Sequence, residues 1–275
     1  MKSFWQRFLG NPRVVICLSW LVAIVVIAVL APVIAPIDPF AIVDQPFKAP
    51  FGEYLFGTDS LGRSMLAGLV HGARTSLLIA VIATVSAVAF GALIGAVAGY
   101  YGGLIDDLLM RSTEFFQTIP SFVFAIVLVA ILTPSAASLV IAIAVVSWPP
   151  IARVVRGEVL SVKAREFVQA AIIAGQNDGG ILFRQVIPNT LSPLIVTGSL
   201  LVATAILTES ALAFLGLGAP NLMSWGFMVG AGRSFLRDAW WLVTIPGVAI
   251  LITVLCINLV GEGLNDALNP RLRDL

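Results

Sequence analysis

Five long stretches of this chain carry no charge at all, and they decide what it can fold into. Val14 to Ile37 has 24 residues, Thr75 to Ile105 has 31, Phe115 to Ala152 has 38, Gln185 to Thr208 has 24 and Ala239 to Gly261 has 23. About 20 apolar residues span a bilayer as a helix. In lipid, every backbone N–H and C=O must find a partner within the chain, which favours helices. The 38-residue run would make a helix of about 57 Å, too long for one crossing, and Thr133-Pro134-Ser135 marks where it divides. The chain therefore reads as an all-α integral membrane protein of about six transmembrane helices, with both ends on one side. Its composition agrees, at 59% hydrophobic and 11% charged. A net charge of +1 offers no nucleic-acid partner. Cys17 and Cys256 lie inside apolar runs, which argues against a disulfide framework.

Charge sets the expected orientation. With the N-terminus inside, the inner segments hold eleven Lys and Arg, among them Lys2, Arg7, Arg13, Arg111, Arg153 and Arg271. The outer segments hold five: Lys48, Arg63, Arg74, Arg233 and Arg237. The positive-inside rule favours that arrangement. It divides the chain into a cytoplasmic tail (1–13, with Trp5 and Phe8 near the interface), a first membrane helix (14–37), an outer segment (38–73), a transmembrane core (74–265) and a cytoplasmic tail (266–275). The first run is too long for a signal peptide and lacks an A-x-A-like cleavage site, so it reads as retained.

Between the fourth and fifth crossings, the loop 153–193 is polar enough for water yet patterned as a helix-turn-helix. Ala170, Ala171, Ala174 and Gly175 share one small-residue face. Gly175 suits a left-handed helix end, Asn177 or Asp178 suits the next cap, and Pro188 suits that helix's end. A short helix with a smooth alanine face fits a groove on another protein.

This loop resembles the cytoplasmic coupling loop of ABC-importer permeases, Glu-Ala-Ala, three residues, Gly, nine residues, Ile-x-Leu-Pro. Here Gln169-Ala170-Ala171, Gly175 and Gln185-Val186-Ile187-Pro188 keep that spacing. Gln169 stands where the family often has Glu, and Gln185 where it has Ile or His. The similarity runs on through Phe56-Gly57-Thr58-Asp59-Ser60-Leu61-Gly62-Arg63, Gly72-Ala73-Arg74-Thr75-Ser76-Leu77, Ala98-Gly99-Tyr100-Tyr101-Gly102-Gly103, Leu207-Thr208-Glu209-Ser210, Ser224-Trp225-Gly226 and Asn269-Pro270-Arg271. These fragments resemble the second, C-type permease of the dipeptide/oligopeptide/nickel branch. The resemblance implies the ABC type I importer permease fold and half of a translocation pore for peptides. It implies a homologous permease as heterodimer partner, two ATPase subunits and a periplasmic or extracellular binding protein. ATP and Mg would sit on the ATPases, with no cofactor bound by this chain. It also implies that Glu166, Gln169, Ala170, Ala171, Ala174, Gly175, Asp178, Arg184, Gln185 and Pro188 couple to the ATPase. Nickel and glutathione are the alternative cargoes.

Several residues carry two readings. Gly91, Gly95 and Gly99 recur every four residues and let helices approach closely, either inside one subunit or against a partner permease. Glu209 ends a 24-residue uncharged run. An ionisable group there is a candidate for the translocation path or outer gate, as is Trp225, unless Glu209 only bonds backbone amides of the Gly216–Gly218 turn. Asp107 and Arg111 are spaced to pair on a helix. Arg165 and Arg184 suit ion pairs with a partner protein. No Walker-type phosphate loop, HExxH, metal-ligand spacing or nucleophile elbow is present, and His71 is the sole histidine, so no catalytic residue and no metal ligand is expected. An ion-coupled secondary transporter is the rival class; it would want discontinuous helices and midplane carboxylates, for which Pro149-Pro150 and Glu209 are the available material. An intramembrane enzyme lacks its catalytic constellation.

Overall fold

The computed structural model describes residues 8–268. Lys2, Trp5, Arg7, Asn269-Pro270-Arg271 and Arg273 lie outside the described residues. Among those described, eleven α-helices follow in order: α1 (Pro12–Val29), α2 (Ala31–Ile34), α3 (Met65–Tyr101), α4 (Gly103–Thr118), α5 (Ser121–Leu132), α6 (Ala136–Lys163), α7 (Glu166–Ile173), α8 (Asp178–Ile181), α9 (Ile187–Leu212), α10 (Trp225–Gly232) and α11 (Trp241–Leu268).

Local chemistry sets the boundaries. Asn11 caps α1, with Pro12 in the first turn. Ser64 caps α3 by accepting from Ala67 N–H, so this helix begins well before Thr75, where the uncharged run starts. Its first turns absorb His71 and Arg74, because charge at a helix start does not break it. Gly102, at φ 68°, ends α3. Ser135 and Ser138 form a reciprocal capping box at the start of α6, and Thr133 turns at φ 64°. The division of the long run falls there, as expected.

One crossing differs from expectation. Five segments are long and apolar enough to span a membrane: α1, α3, α6, the continuous helix Asp178–Leu217 and α11. The sixth is a bent pair, α4 and α5, which meet at 86°. α5 has 12 residues, about 18 Å against a hydrocarbon core of about 30 Å. The break lies at Ile119-Pro120, where proline pushes the preceding residue out of the helical region (Ile119 φ −86°, ψ 127°).

α3 and α6 are the central pair. Where α3 carries Gly91, Gly95 and Gly99, a Cβ would meet the carbonyl oxygens of Trp148, Ala152 and Arg156 at 2.6, 2.2 and 2.9 Å. The glycine stripe therefore serves packing within this chain. Two main cores flank it. One gathers Met65, Ile79, Leu139, Ile143, Ile206 and Trp225. The other gathers Tyr100, Ile151, Val155, Val168, Ala171 and Ile181 at the end that leads to α7.

Candidate functional site

The loop after α6 is held by polar ties to the helix ends around it. Arg156 on α6 makes a bidentate pair with Asp106 on α4, Nε to Oδ1 and Nη2 to Oδ2 both at 2.6 Å. This replaces the expected Asp107–Arg111 pair, because Asp106 faces α6 and is buried. Lys163, at the end of α6, donates to the Tyr100 carbonyl, and its Nζ lies 5.2 Å from the centre of the Tyr100 ring. The Tyr100 hydroxyl donates to Asp178 Oδ1 at 3.0 Å. Asp178 is thus the tie to α3, and Asn177 is the cap of α8, accepting from Gly180 N–H at 3.2 Å. Gln169 folds back and its amide donates to the Lys163 carbonyl at 2.9 Å, a bond that a carboxylate could not make.

Between these ties α7 ends in a complete Schellman motif. Gly175 N–H bonds Ile172 O at 3.0 Å and Gln176 N–H bonds Ala171 O at 3.1 Å. Gly175 has φ 74°, with nothing within 4 Å of a Cβ built on it. The left-handed stop read from the sequence is present.

The small-residue face is corrected. Ala171 is only 5% exposed and packs inward beside Val168, because helical spacing puts residues 168 and 171 on one side. Ala170, Ala174 and Gly175 are exposed. The outward surface is apolar and bulky rather than smooth, with Phe167 at 43%, Ile173 at 86% and Phe183 at 60% exposure. Phe183 and Arg184 border a cavity of about 730 Å³ together with Gln176, Asn177 and Gln185. Gln185 donates to the Gln176 side chain at 2.7 Å, closing the turn. Phe167, Ile173 and Phe183 escape a search for small-residue faces; their signal in the sequence is large apolar side chains inside an otherwise polar loop. Glu166, Arg165 and Arg184 are exposed, and the ion pairs among the described residues, Lys48 with Asp44 and Glu53 and Arg156 with Asp106, involve none of them.

Pro188 is also corrected. It opens α9 instead of ending a helix. A π-helical turn, Leu182–Val186, precedes it, and Ile187 N–H reaches back five residues to Leu182 O. The widened turn makes room for the proline ring and its missing N–H, so α8 runs on into α9.

At the other end of the molecule, Glu209 on α9 is buried and accepts from Ser76 Oγ at 3.3 Å and Ser210 Oγ at 3.5 Å. Ser76 Oγ in turn accepts from Trp225 N–H at 3.2 Å. The expected amides of the Gly216–Gly218 turn are not its partners, since Gly216 bends away at φ 84°. Trp225 is fully buried against Gly72, and its indole donates to the Leu69 carbonyl at 2.9 Å. Glu209 and Trp225 therefore join α3, α9 and α10.

Residues 91–274 match the family described as the inner membrane component of binding-protein-dependent transport systems. Residues 1–50 match the N-terminal transmembrane domain of oligopeptide transport permease C. The chain is 40% identical to the di/tripeptide transport system permease protein DppC of Pseudomonas aeruginosa, over 100% of this chain and 93% of that protein. It is 38% identical to DppC of Haemophilus influenzae, over 99% and 95%, and 35% identical to the glutathione transport permease GsiD of Pectobacterium atrosepticum, over 99% and 91%. A chain of the MetNI methionine ABC transporter superposes with a TM-score of 0.61 at 16% identity, covering 74% of this chain and 98% of that one, which establishes the ABC-importer permease fold. The chain belongs to the multi-pass inner-membrane permeases of binding-protein-dependent ABC importers, in the C-type branch.

Proposed function

We propose that this chain forms one half of the pore of an ATP-driven importer for di- and oligopeptides. The observation that carries the reading is α7 with its Schellman stop. It is a short helix beyond the end of α6, packed on this chain through Val168 and Ala171, with the following α8 tied to Tyr100 through Asp178; Phe167 and Ile173 on α7 and Phe183 after α8 are left bare. Exposed apolar side chains of this size at the end of a membrane bundle call for a protein partner. The partners are two ATPase subunits, which hold ATP and Mg, and a second, homologous permease that completes the pore. A periplasmic or extracellular binding protein delivers the cargo. This chain binds no cofactor of its own. The loop 153–193 and both termini lie in the cytoplasm, as the excess of basic residues supports.

Peptide cargo is supported by the full-length likeness to proteins named di/tripeptide and dipeptide permeases. Transport then follows from a two-state body biased by ATP at α7 and by the loaded receptor at the opposite end. The test is reconstitution of the chain with its neighbouring permease, ATPases and receptor in vesicles. Labelled dipeptide uptake should require ATP without an ion gradient, and reduced glutathione and nickel should compete poorly. Gradient-driven uptake without ATP would replace this reading with the secondary-transporter one.

A further inference from the structure

A cavity of about 770 Å³ lies at the N-terminal end of α3, far along the helix from the docking loop. Its mouth is charged. Arg74 on α3 and Asp38 on the preceding loop both line it. Neither appears in an ion pair among the described residues, and Asp38 is engaged only through Oδ1, which accepts from Phe40 N–H at 2.8 Å. A cation and an anion thus face one space without neutralising each other. His71 beside them is occupied, since its Nε2 donates to the Ala35 carbonyl at 2.9 Å. Arg74 is left as the free charged donor. Below the mouth the lining turns apolar. Leu78 and Ile82 continue the Arg74 stripe at four-residue steps on α3, and Val140 faces them from α6.

We propose that this cavity is a holding site for a zwitterionic short peptide on its way into the pore. The Arg74 guanidinium takes the terminal carboxylate, Asp38 takes the terminal ammonium, and the Leu78–Ile82–Val140 stripe takes a side chain. The volume falls in the range of small-ligand sites, about 300–1,000 Å³, and a planar guanidinium fits a carboxylate with two parallel bonds. The site rests on the importer reading above. Oxyanion chemistry at Arg74 also fits a lipid phosphate, so the test separates the two sources.

The test uses the complete complex in phospholipid vesicles with radiolabelled alanyl-phenylalanine. Arg74→Gln should lower initial uptake about tenfold, the loss of one charged hydrogen-bonded contact. Arg74→Lys should retain most uptake. Ile131→Ala, outside the cavity, should leave uptake and receptor-stimulated ATP hydrolysis near wild type. A photo-crosslinking residue at Val140 should capture the peptide during turnover, whereas one at Ile131, exposed on α5 outside the cavity, should not. Wild-type uptake by Arg74→Gln, or capture of phospholipid in place of peptide at Val140, overturns the site. If Arg74→Gln fails to assemble, the crosslink at Val140 decides alone. No ATP-dependent peptide uptake by the wild-type complex overturns the importer reading and the site with it.

Discussion

Gly175 adopts φ 74° in open space, so a side chain there meets backbone strain and nothing else. Gly175→Val should cost about 1–2 kcal/mol in the local fold and re-aim α7. Membrane insertion should survive, and co-purification with the tagged ATPase should fall; unchanged co-purification and uptake would remove the docking role of α7. Ala170 and Ala171 separate two effects that the sequence pattern merges. Ala171 packs beside Val168, so Ala171→Trp should overpack the chain's own core, by about 1–3 kcal/mol or more, and lower the thermal midpoint of the purified permease. Ala170 is exposed, so Ala170→Trp should leave that midpoint in place and weaken ATPase association instead. Equal midpoints for the two variants would contradict the burial difference. Alanine spacing located the helix and its stop. It could not tell which alanine points inward, because a buried alanine and a docking alanine leave the same letter, and the direction comes from Val168 on the neighbouring position of the turn.

α4 is held against α6 by the two-pronged Arg156–Asp106 contact. Asp106→Asn and Arg156→Gln should each lower the stability of the complex, and a double-mutant cycle should return a coupling of about 1–2 kcal/mol, discounted for partial exposure. A coupling near zero would make the contact incidental. The loop between α2 and α3 carries a second polar cluster. The Lys48 ammonium beside Asp44 holds that carboxyl below its ordinary range, and the carboxylates of Asp44 and Glu53 hold the Lys48 amine above its own. A lowered acid contributes stability above its unfolded pKa and loses it as pH falls through the folded value. A raised amine contributes below its unfolded pKa and loses it as pH rises through the folded value. Between about pH 5 and 9 both stay charged, so loop protection measured by proteolysis near Phe51 should be flat across that window and fall below about pH 4. A transition near neutrality would contradict the cluster. Element boundaries were legible where capping residues sit, as at Ser64 and Ser135. They were misread where a proline acts through its neighbours. Pro120 bends a segment through 86°, and Pro188 opens a helix because a π-turn upstream accommodates it.

At the scale of the molecule, run length located the five long spans and the polar loop that follows α6, but took the bent pair of α4 and α5 for part of ordinary crossings. It was silent on how the passes pack, because a glycine stripe serves a partner helix in the same chain and one in another chain equally well. Orientation is testable with single cysteines in a background lacking Cys17 and Cys256. A cysteine at Asn177 should react with an impermeant reagent only from the cytoplasmic side and one at Ala49 only from outside; both positions are exposed. Reversed labelling would invert the topology. The glycine stripe then acquires a further meaning. Where Gly91, Gly95 and Gly99 meet Trp148, Ala152 and Arg156, an added Cβ would run into backbone carbonyl oxygens, which have little room to yield, with only the stiff β-branched Ile151 and Val159 beside them. Two helices joined that way behave as one strut. α6 is 28 residues long, about 42 Å. One end leads into α7; the other, at Ala136, borders the Arg74 cavity. On the importer reading proposed above, a push delivered at Lys163 travels along this strut to that mouth, as a lever delivers at its far arm what is applied at the near one, and wedging the joint open with Gly95→Ala, whose Cβ would meet the Ala152 carbonyl at 2.2 Å, should let the ATPases turn over while the load stays still.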